Sequence, residues 1–68
     1  MKSRVFVPPT IQAMMTGVAY IERAGKVTRA HYTDGSIEEV ETKGLNIDWE
    51  YASHFDMVSA IQSKRKAQ

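Results

Sequence analysis

The strongest candidate for chemistry in this sequence is a run of carboxylates at Glu38, Glu39 and Glu41. Paired carboxylates can transfer protons in general acid–base catalysis, and several together can bind a cation. Acidic residues on an edge strand also have a simpler purpose, because their charge discourages association between sheet edges. We favour the simpler interpretation, since no catalytic motif accompanies these residues. The sequence therefore predicts no catalytic, metal or cofactor-binding residues and a protein that is not an enzyme.

The two histidines, His31 and His54, are the other side chains that could do chemistry near neutral pH. His54 falls at the edge of an apolar helical stripe, where a partly buried imidazole could sense pH or act as a base. Such a histidine is more often neutral and hydrogen-bonded to a carbonyl or carboxylate, and the sequence pairs it with no nucleophile. We prefer this structural interpretation and leave the role of His54 open.

Basic residues raise the question of nucleic-acid binding. The chain ends in a basic tail over residues 64–68, with positive charges at Lys64, Arg65 and Lys66. Tyr20 and Arg29 would share one face of a predicted sheet, where they could stack a base and contact a phosphate. The net charge is only +1, however, and an acidic strand would lie beside that face. Nucleic-acid binding through Tyr20, Arg29 and the tail is therefore the alternative hypothesis.

A C-terminal helix is predicted from Asn46 to Lys64, with Asn46 or Asp48 as its cap, and it would carry two apolar stripes. One stripe spans about 120° of arc, the width of a face that packs on a core. It contains Ile47, Tyr51, Phe55, Val58 and Ile61. The second stripe, on the far side, contains Trp49, Ser53, Met57, Ala60 and Lys64. A chain of 68 residues has one core and can cover only one stripe.

The second stripe is interpreted as an interface with another protein. Tryptophan and methionine are enriched at interface centres, and the small Ser53 and Ala60 would permit close approach of a second helix. In the intramolecular alternative, Trp49 packs on Met14 and Met15 and extends the same core. We favour the intermolecular contact, with a second copy of this chain and another protein as the expected partners. A small ligand bound between subunits is left open.

Length and composition favour a small oligomeric interaction module. The chain makes one domain over residues 1–68, and a core of this size supplies only about 3–5 kcal/mol of stability. Cysteine is absent, so disulfides and thiolate metal sites are excluded and oligomerisation is the expected compensation. No apolar run reaches the roughly 20 residues of a membrane span, and Pro8-Pro9 interrupts any signal-peptide core, so a cytoplasmic protein is expected.

The elements that position these residues predict a small α+β fold. Residues 1–9 form an edge strand or arm that is cut by Pro8-Pro9, and residues 10–16 form a short helix, with a strand as the alternative. Three strands follow, over residues 18–23, 26–32 and 36–42. The expected architecture is a three- or four-stranded antiparallel meander with the C-terminal helix packed across one face.

The turn at Asp34-Gly35 sets the register of the last hairpin. As a two-residue loop it would place Tyr32 opposite Ile37, His31 opposite Glu38 and Arg29 opposite Val40. In that register Ile37 and Val40 have opposite parity, so they share no face of the sheet unless a bulge intervenes.

The leading functional hypothesis is a non-enzymatic protein-interaction module, a homodimer or higher oligomer, that binds or inhibits another macromolecule. Its size suits an accessory or regulatory protein, including one encoded by a phage.

Overall fold

The computed structural model describes residues 3–66, and within them the predicted α+β fold is confirmed. The strands are β1 (Ser3–Phe6), β2 (Val18–Ala24), β3 (Val27–Tyr32) and β4 (Ile37–Glu41), and they form one antiparallel sheet in the order β1-β2-β3-β4. The helices are α1 (Thr10–Thr16) and α2 (His54–Lys66), with a single 3-10 turn at Thr42–Gly44. No helix in the described part of the chain is long and apolar enough to cross a membrane.

The short helix α1 is defined by the residues at its two ends. Pro9 precedes it, and the Pro9 carbonyl accepts hydrogen bonds from the backbone N–H groups of Gln12 and Ala13. Gly17 ends it in the left-handed conformation, with φ of 77°, and donates its N–H to the Ala13 carbonyl at 2.8 Å. Proline at the start and glycine at the end are the signals from which a helix was predicted here.

The β3–β4 hairpin has a longer loop than predicted. Tyr32 donates its N–H to the Ser36 carbonyl, and Gly35, at φ of 92°, donates to the Tyr32 carbonyl. This is a three-residue loop, and it shifts the register by one so that His31 lies opposite Ile37. The predicted pairing of Tyr32 with Ile37 is therefore wrong. The one-residue shift turns Val40 toward the core and Ile37 toward the exposed face, so the two residues do not need to share a face.

Helix α2 begins at His54, eight residues later than predicted. Ser53 and Asp56 form a reciprocal cap: the Ser53 hydroxyl accepts from the Asp56 N–H at 3.1 Å, and the Asp56 carboxylate accepts from the Ser53 N–H at 3.2 Å. Asp48 does not cap the helix. Its side chain and carbonyl instead hold a turn, with the carbonyl accepting from the N–H groups of Tyr51 and Ala52. The residues before Ser53 therefore form a loop.

The later start of α2 changes which residues reach the core. The buried apolar residues are Val18, Ile21, Ala30, Val40, Leu45, Met57, Val58 and Ile61. Val58 and Ile61 were predicted to be buried. Tyr51 and Phe55 were also predicted to be buried, but both are exposed, whereas Met57, predicted to lie in an interface with another chain, is only 3% exposed in the core. Both helices pack on the sheet face that carries Ile21, and no other element among residues 3–66 covers the opposite face, which we call the open face.

Candidate functional site

The most unusual surface of the protein is the outward side of α1. Ile11, Met14 and Met15 are 68%, 76% and 71% exposed, and no residue of α1 is buried. The spacing i, i+3, i+4 is typical of a helix face that packs on a core, yet here that face points to solvent. Val7, just before the helix, is equally exposed. We call these four residues the α1 apolar surface.

A hydrogen-bonded contact with α2 fixes this orientation of α1. The hydroxyl of Thr16, the last residue of α1, donates to the Gln12 carbonyl at 3.0 Å and accepts from the Val18 N–H at 3.2 Å. Its oxygen also lies 2.8 Å from Nε2 of His54. Because the single hydroxyl proton is used toward Gln12, the imidazole donates to Thr16. The polar side of α1 is therefore tied to the protein, and its apolar side faces outward.

The His54 side chain is buried and hydrogen-bonded within the protein. Its ring is buried, and burial lowers the pKa of His54 below its usual value of 6.5, so the neutral form is favoured. The hydrogen-bond partner is a threonine hydroxyl and not the carbonyl or carboxylate that the sequence suggested. The ring lines a cleft of about 240 Å³ beside Pro8, Pro9 and Gln12. This volume is below the roughly 300–1,000 Å³ of typical small-molecule sites.

Trp49 is covered by its own chain. Its ring stacks on Phe6 of β1 with a centroid distance of 5.4 Å and an interplanar angle of 29°. The guanidinium of Arg23 on β2 lies 5.1 Å from the ring centroid, which is within cation–π range. The intramolecular alternative packed Trp49 on Met14 and Met15, but the ring stacks on Phe6 instead. The partner of Trp49 is the β1–β2 side of the sheet.

The remaining residues of the predicted Trp49 interface do not form one surface with it. Ser53 caps α2, Met57 lies in the core and Ala60 is partly buried against that core. The Lys64 side chain lies against Gly44, in the turn after β4. The stripe on which the interface was predicted requires a helix from residue 46, and that helix is not present. No continuous apolar surface therefore connects these residues.

The open face of the sheet carries a network of stacked rings and ion pairs. The rings of Tyr20 and His31 are nearly parallel, with centroids 4.2 Å apart. Glu22 accepts a hydrogen bond from His31 at 3.1 Å and lies 3.6 Å from the guanidinium of Arg29. Arg29 also donates to Glu39 at 2.8 Å. Tyr20 and Arg29 share this face as predicted, but two carboxylates balance the positive charge of Arg29.

The other basic residues are not assembled on the open face. Lys64 belongs to α2, on the helical side of the sheet, whereas Tyr20 and Arg29 are on the open side. The side chains of Arg65 and Lys66 lie outside the part of the structure that is described. The structure therefore does not bring Lys64 together with Tyr20 and Arg29.

The acidic run is divided between the two faces of the sheet. Glu38 accepts a hydrogen bond from the Tyr32 hydroxyl on the helical side, while Glu39 pairs with Arg29 on the open side. Among residues 3–66, no three histidine, aspartate or glutamate side chains come together where they could hold a metal ion. Glu38 and Glu39 point to opposite faces of the sheet and therefore cannot bind one cation together.

Comparison with protein-family models, curated proteins and solved structures finds no match. The α1 apolar surface is thus characterised by its own chemistry. The sequence contained a signal for it that the periodicity concealed: residues 5–21 include no charged residue, although charged residues make up 25% of the chain. A helix that packs with one side on a core normally places charges on its other side. The exposed side of α1 therefore carries apolar residues where a charged or polar face would be usual.

Proposed function

We propose that this protein is a small, non-enzymatic protein-interaction module that binds a partner protein on the α1 apolar surface. The observation that carries the proposal is the exposure of Ile11, Met14 and Met15 on a helix without charged residues. Exposed apolar groups are ordinary when they are scattered, but a contiguous set marks a site of contact. Methionine suits such a site because its flexible thioether adapts to different partner shapes.

The way α1 is held also supports an interaction role. The helix has only seven residues and would be unstable alone, because isolated helices shorter than about 12 residues are marginal in water. Its conformation is fixed by the Pro9 and Gly17 ends and by the contact between Thr16 and His54. A surface prepared in this way loses little conformational entropy when a partner binds. An accessory or regulatory role in the cytoplasm, as a binder or inhibitor of another macromolecule, is part of this proposal.

Site-directed photo-cross-linking tests the proposal. A photoreactive residue placed at position 14 of the purified chain should cross-link to a protein, either a second copy or another protein in a lysate of the source cells. The same residue at position 37 is the matched control, since Ile37 is 57% exposed on the open face. The captured protein is then purified, and Met14→Glu should weaken its binding by at least about 100-fold, because an unpaired charge would be buried. Equal capture at both positions, or unchanged affinity, would contradict the proposal.

Nucleic-acid binding remains the second candidate, supported by the shared open face of Tyr20 and Arg29. Its weakness is the pairing of Arg29 with Glu22 and Glu39, which leaves little positive charge for phosphate. A titration of single-stranded DNA or RNA at several salt concentrations separates the candidates, because phosphate contacts make affinity fall steeply with salt. Micromolar, salt-sensitive binding that is lost in Tyr20→Ala would favour this candidate over the first.

A further inference from the structure

We infer that the partner seated on the α1 apolar surface is a second copy of this chain, with the two α1 helices packed antiparallel about a two-fold axis. The inference rests on the proposed function and names its partner. It differs from the interface predicted at Trp49, because the Trp49 ring is partly buried against its own chain, where it stacks on Phe6.

The charge distribution favours a second copy over a partner recognised by charge. No charged residue lies within residues 5–21, so the surface offers a foreign protein no pattern of charge to complement. The same neutrality allows two identical surfaces to meet without repulsion. The net charge of +1 also adds almost no long-range repulsion between copies. An uncharged surface on a nearly neutral chain is therefore self-complementary in its electrostatics.

The spacing of the apolar residues fits a two-fold axis across α1. Ile11 and Met15 are one turn apart on the same ridge of the helix. In an antiparallel pair, Ile11 would pack against Met15 of the partner subunit. Two-fold symmetry then makes Met15 pack against Ile11 of the partner subunit in the same way. Met14 would then lie near the axis. Met14 is the most exposed residue of the set, so it has the most surface to lose on dimerisation.

The exposed area predicts a weak dimer. A large aliphatic side chain carries about 60–120 Å² of apolar surface. The α1 apolar surface, together with Phe55, which lines a cleft with Thr16 of α1, therefore exposes roughly 200–400 Å² per copy. Two copies would bury roughly 400–800 Å² of apolar surface, and with a polar rim the total area would be roughly 700–1,400 Å². Standard interfaces bury about 1,200–2,000 Å². The dimer should therefore be weak, so that association becomes visible only as the protein concentration is raised.

Sedimentation equilibrium over a range of protein concentrations tests the inference. The average mass should rise from 7.7 kDa toward twice that value as concentration increases. Met14→Glu should raise the dissociation constant by at least about 100-fold, because each copy would bring a charge to the axis. Ile37→Glu, an apolar-to-acidic change on the open face, should leave dimerisation unchanged. Circular dichroism checks that both variants fold, which the exposure of both positions predicts.

Disulfide trapping gives a second measurement that does not depend on the glutamate variants. The chain has no cysteine, so the only disulfide between protein chains that a single introduced cysteine can form is with its copy. With oxidised glutathione as the oxidant, Met14→Cys should form a covalent dimer much faster than Ile37→Cys, because the two position-14 residues would meet across the axis. A wild type that stays monomeric, or equal trapping of both variants, would overturn the inference. If photo-cross-linking at position 14 then captured another protein, the proposed function would stand and only the second copy would be wrong.

Discussion

Replacing Trp49 with alanine should destabilise the monomer and should do so equally at low and high protein concentration. The reason is that the Trp49 ring stacks on Phe6, lies beside the Arg23 guanidinium and packs against the core of its own chain. Trp49 lies in the loop before α2, and its stacking on β1 holds that loop against the edge of the sheet. Alanine removes the ring and with it the link between the loop and β1.

The magnitude follows from the area that the ring covers. A tryptophan buries roughly 150–250 Å² when fully covered, and Trp49 is partly buried against the core. At about 25 cal/mol per Å², and with an allowance for residual burial in the unfolded chain, the loss is about 3 kcal/mol. The loss of the Arg23 contact would add about 0.5–1 kcal/mol. A domain of this size has about 3–5 kcal/mol in total, so the variant should be close to unfolding.

Urea denaturation followed by circular dichroism measures the effect. The midpoint should fall by about 3–4 M for Trp49→Ala, since the stability of a small domain falls by roughly 1 kcal/mol per molar urea. Trp49→Phe is the control, because it keeps a ring on Phe6 and should cost only about 1 kcal/mol. A Trp49→Ala protein that keeps wild-type stability but loses self-association would refute the reasoning. It would return Trp49 to the intermolecular role that the sequence suggested.

Two further predictions concern His54 and Gly35. Burial lowers the pKa of His54 below 6.5, so at acidic pH the unfolded chain binds more protons than the folded one. The free energy of unfolding should therefore be independent of His54 above about pH 6.5. Below that pH it should fall, by at most about 1.4 kcal/mol per pH unit. Thermal melts between pH 7 and 5 should show this fall in the wild type and not in His54→Gln; equal slopes would contradict it. Gly35→Ala should lower stability by about 1–2 kcal/mol through backbone strain alone, since φ is 92° and no atom lies near the added methyl. Calorimetry would contradict this if the melting temperature stayed constant.

The fold could be predicted because local signals agreed with one another. Asp34-Gly35 marks the last turn, and Pro9 and Gly17 mark the ends of α1. The register could not be predicted, because the same Asp-Gly pair suits both a two-residue and a three-residue loop. The loop length decides whether Ile37 or Glu38 faces the core. In the two-residue loop Ile37 and Val40 could not both be buried, and this conflict was evidence against the predicted register.

The start of α2 was mistaken because apolar periodicity does not show where a helix begins. Asn46 and Asp48 are both good caps, and the stripe through Ile47 extended convincingly to residue 61. The reciprocal pair of Ser53 and Asp56 is the stronger signal, since it satisfies a backbone donor at each of two positions. Its spacing, serine followed three residues later by an acidic residue, was visible in the sequence.

Apolar periodicity also failed to show where the proposed interface lies. Periodicity shows that a helix has an apolar face, but it does not show whether that face is covered by the chain itself. Met57 and Met14 each belong to an i, i+3, i+4 pattern, and one is buried while the other is exposed. What separates them is the opposite side of each helix: α2 places Asp56 toward solvent, whereas α1 has no charged residue. The polar Gln12 and Thr16 of α1 lie on the side held against the protein, so the exposed side is left apolar. We therefore place the proposed partner surface on α1 and not on α2.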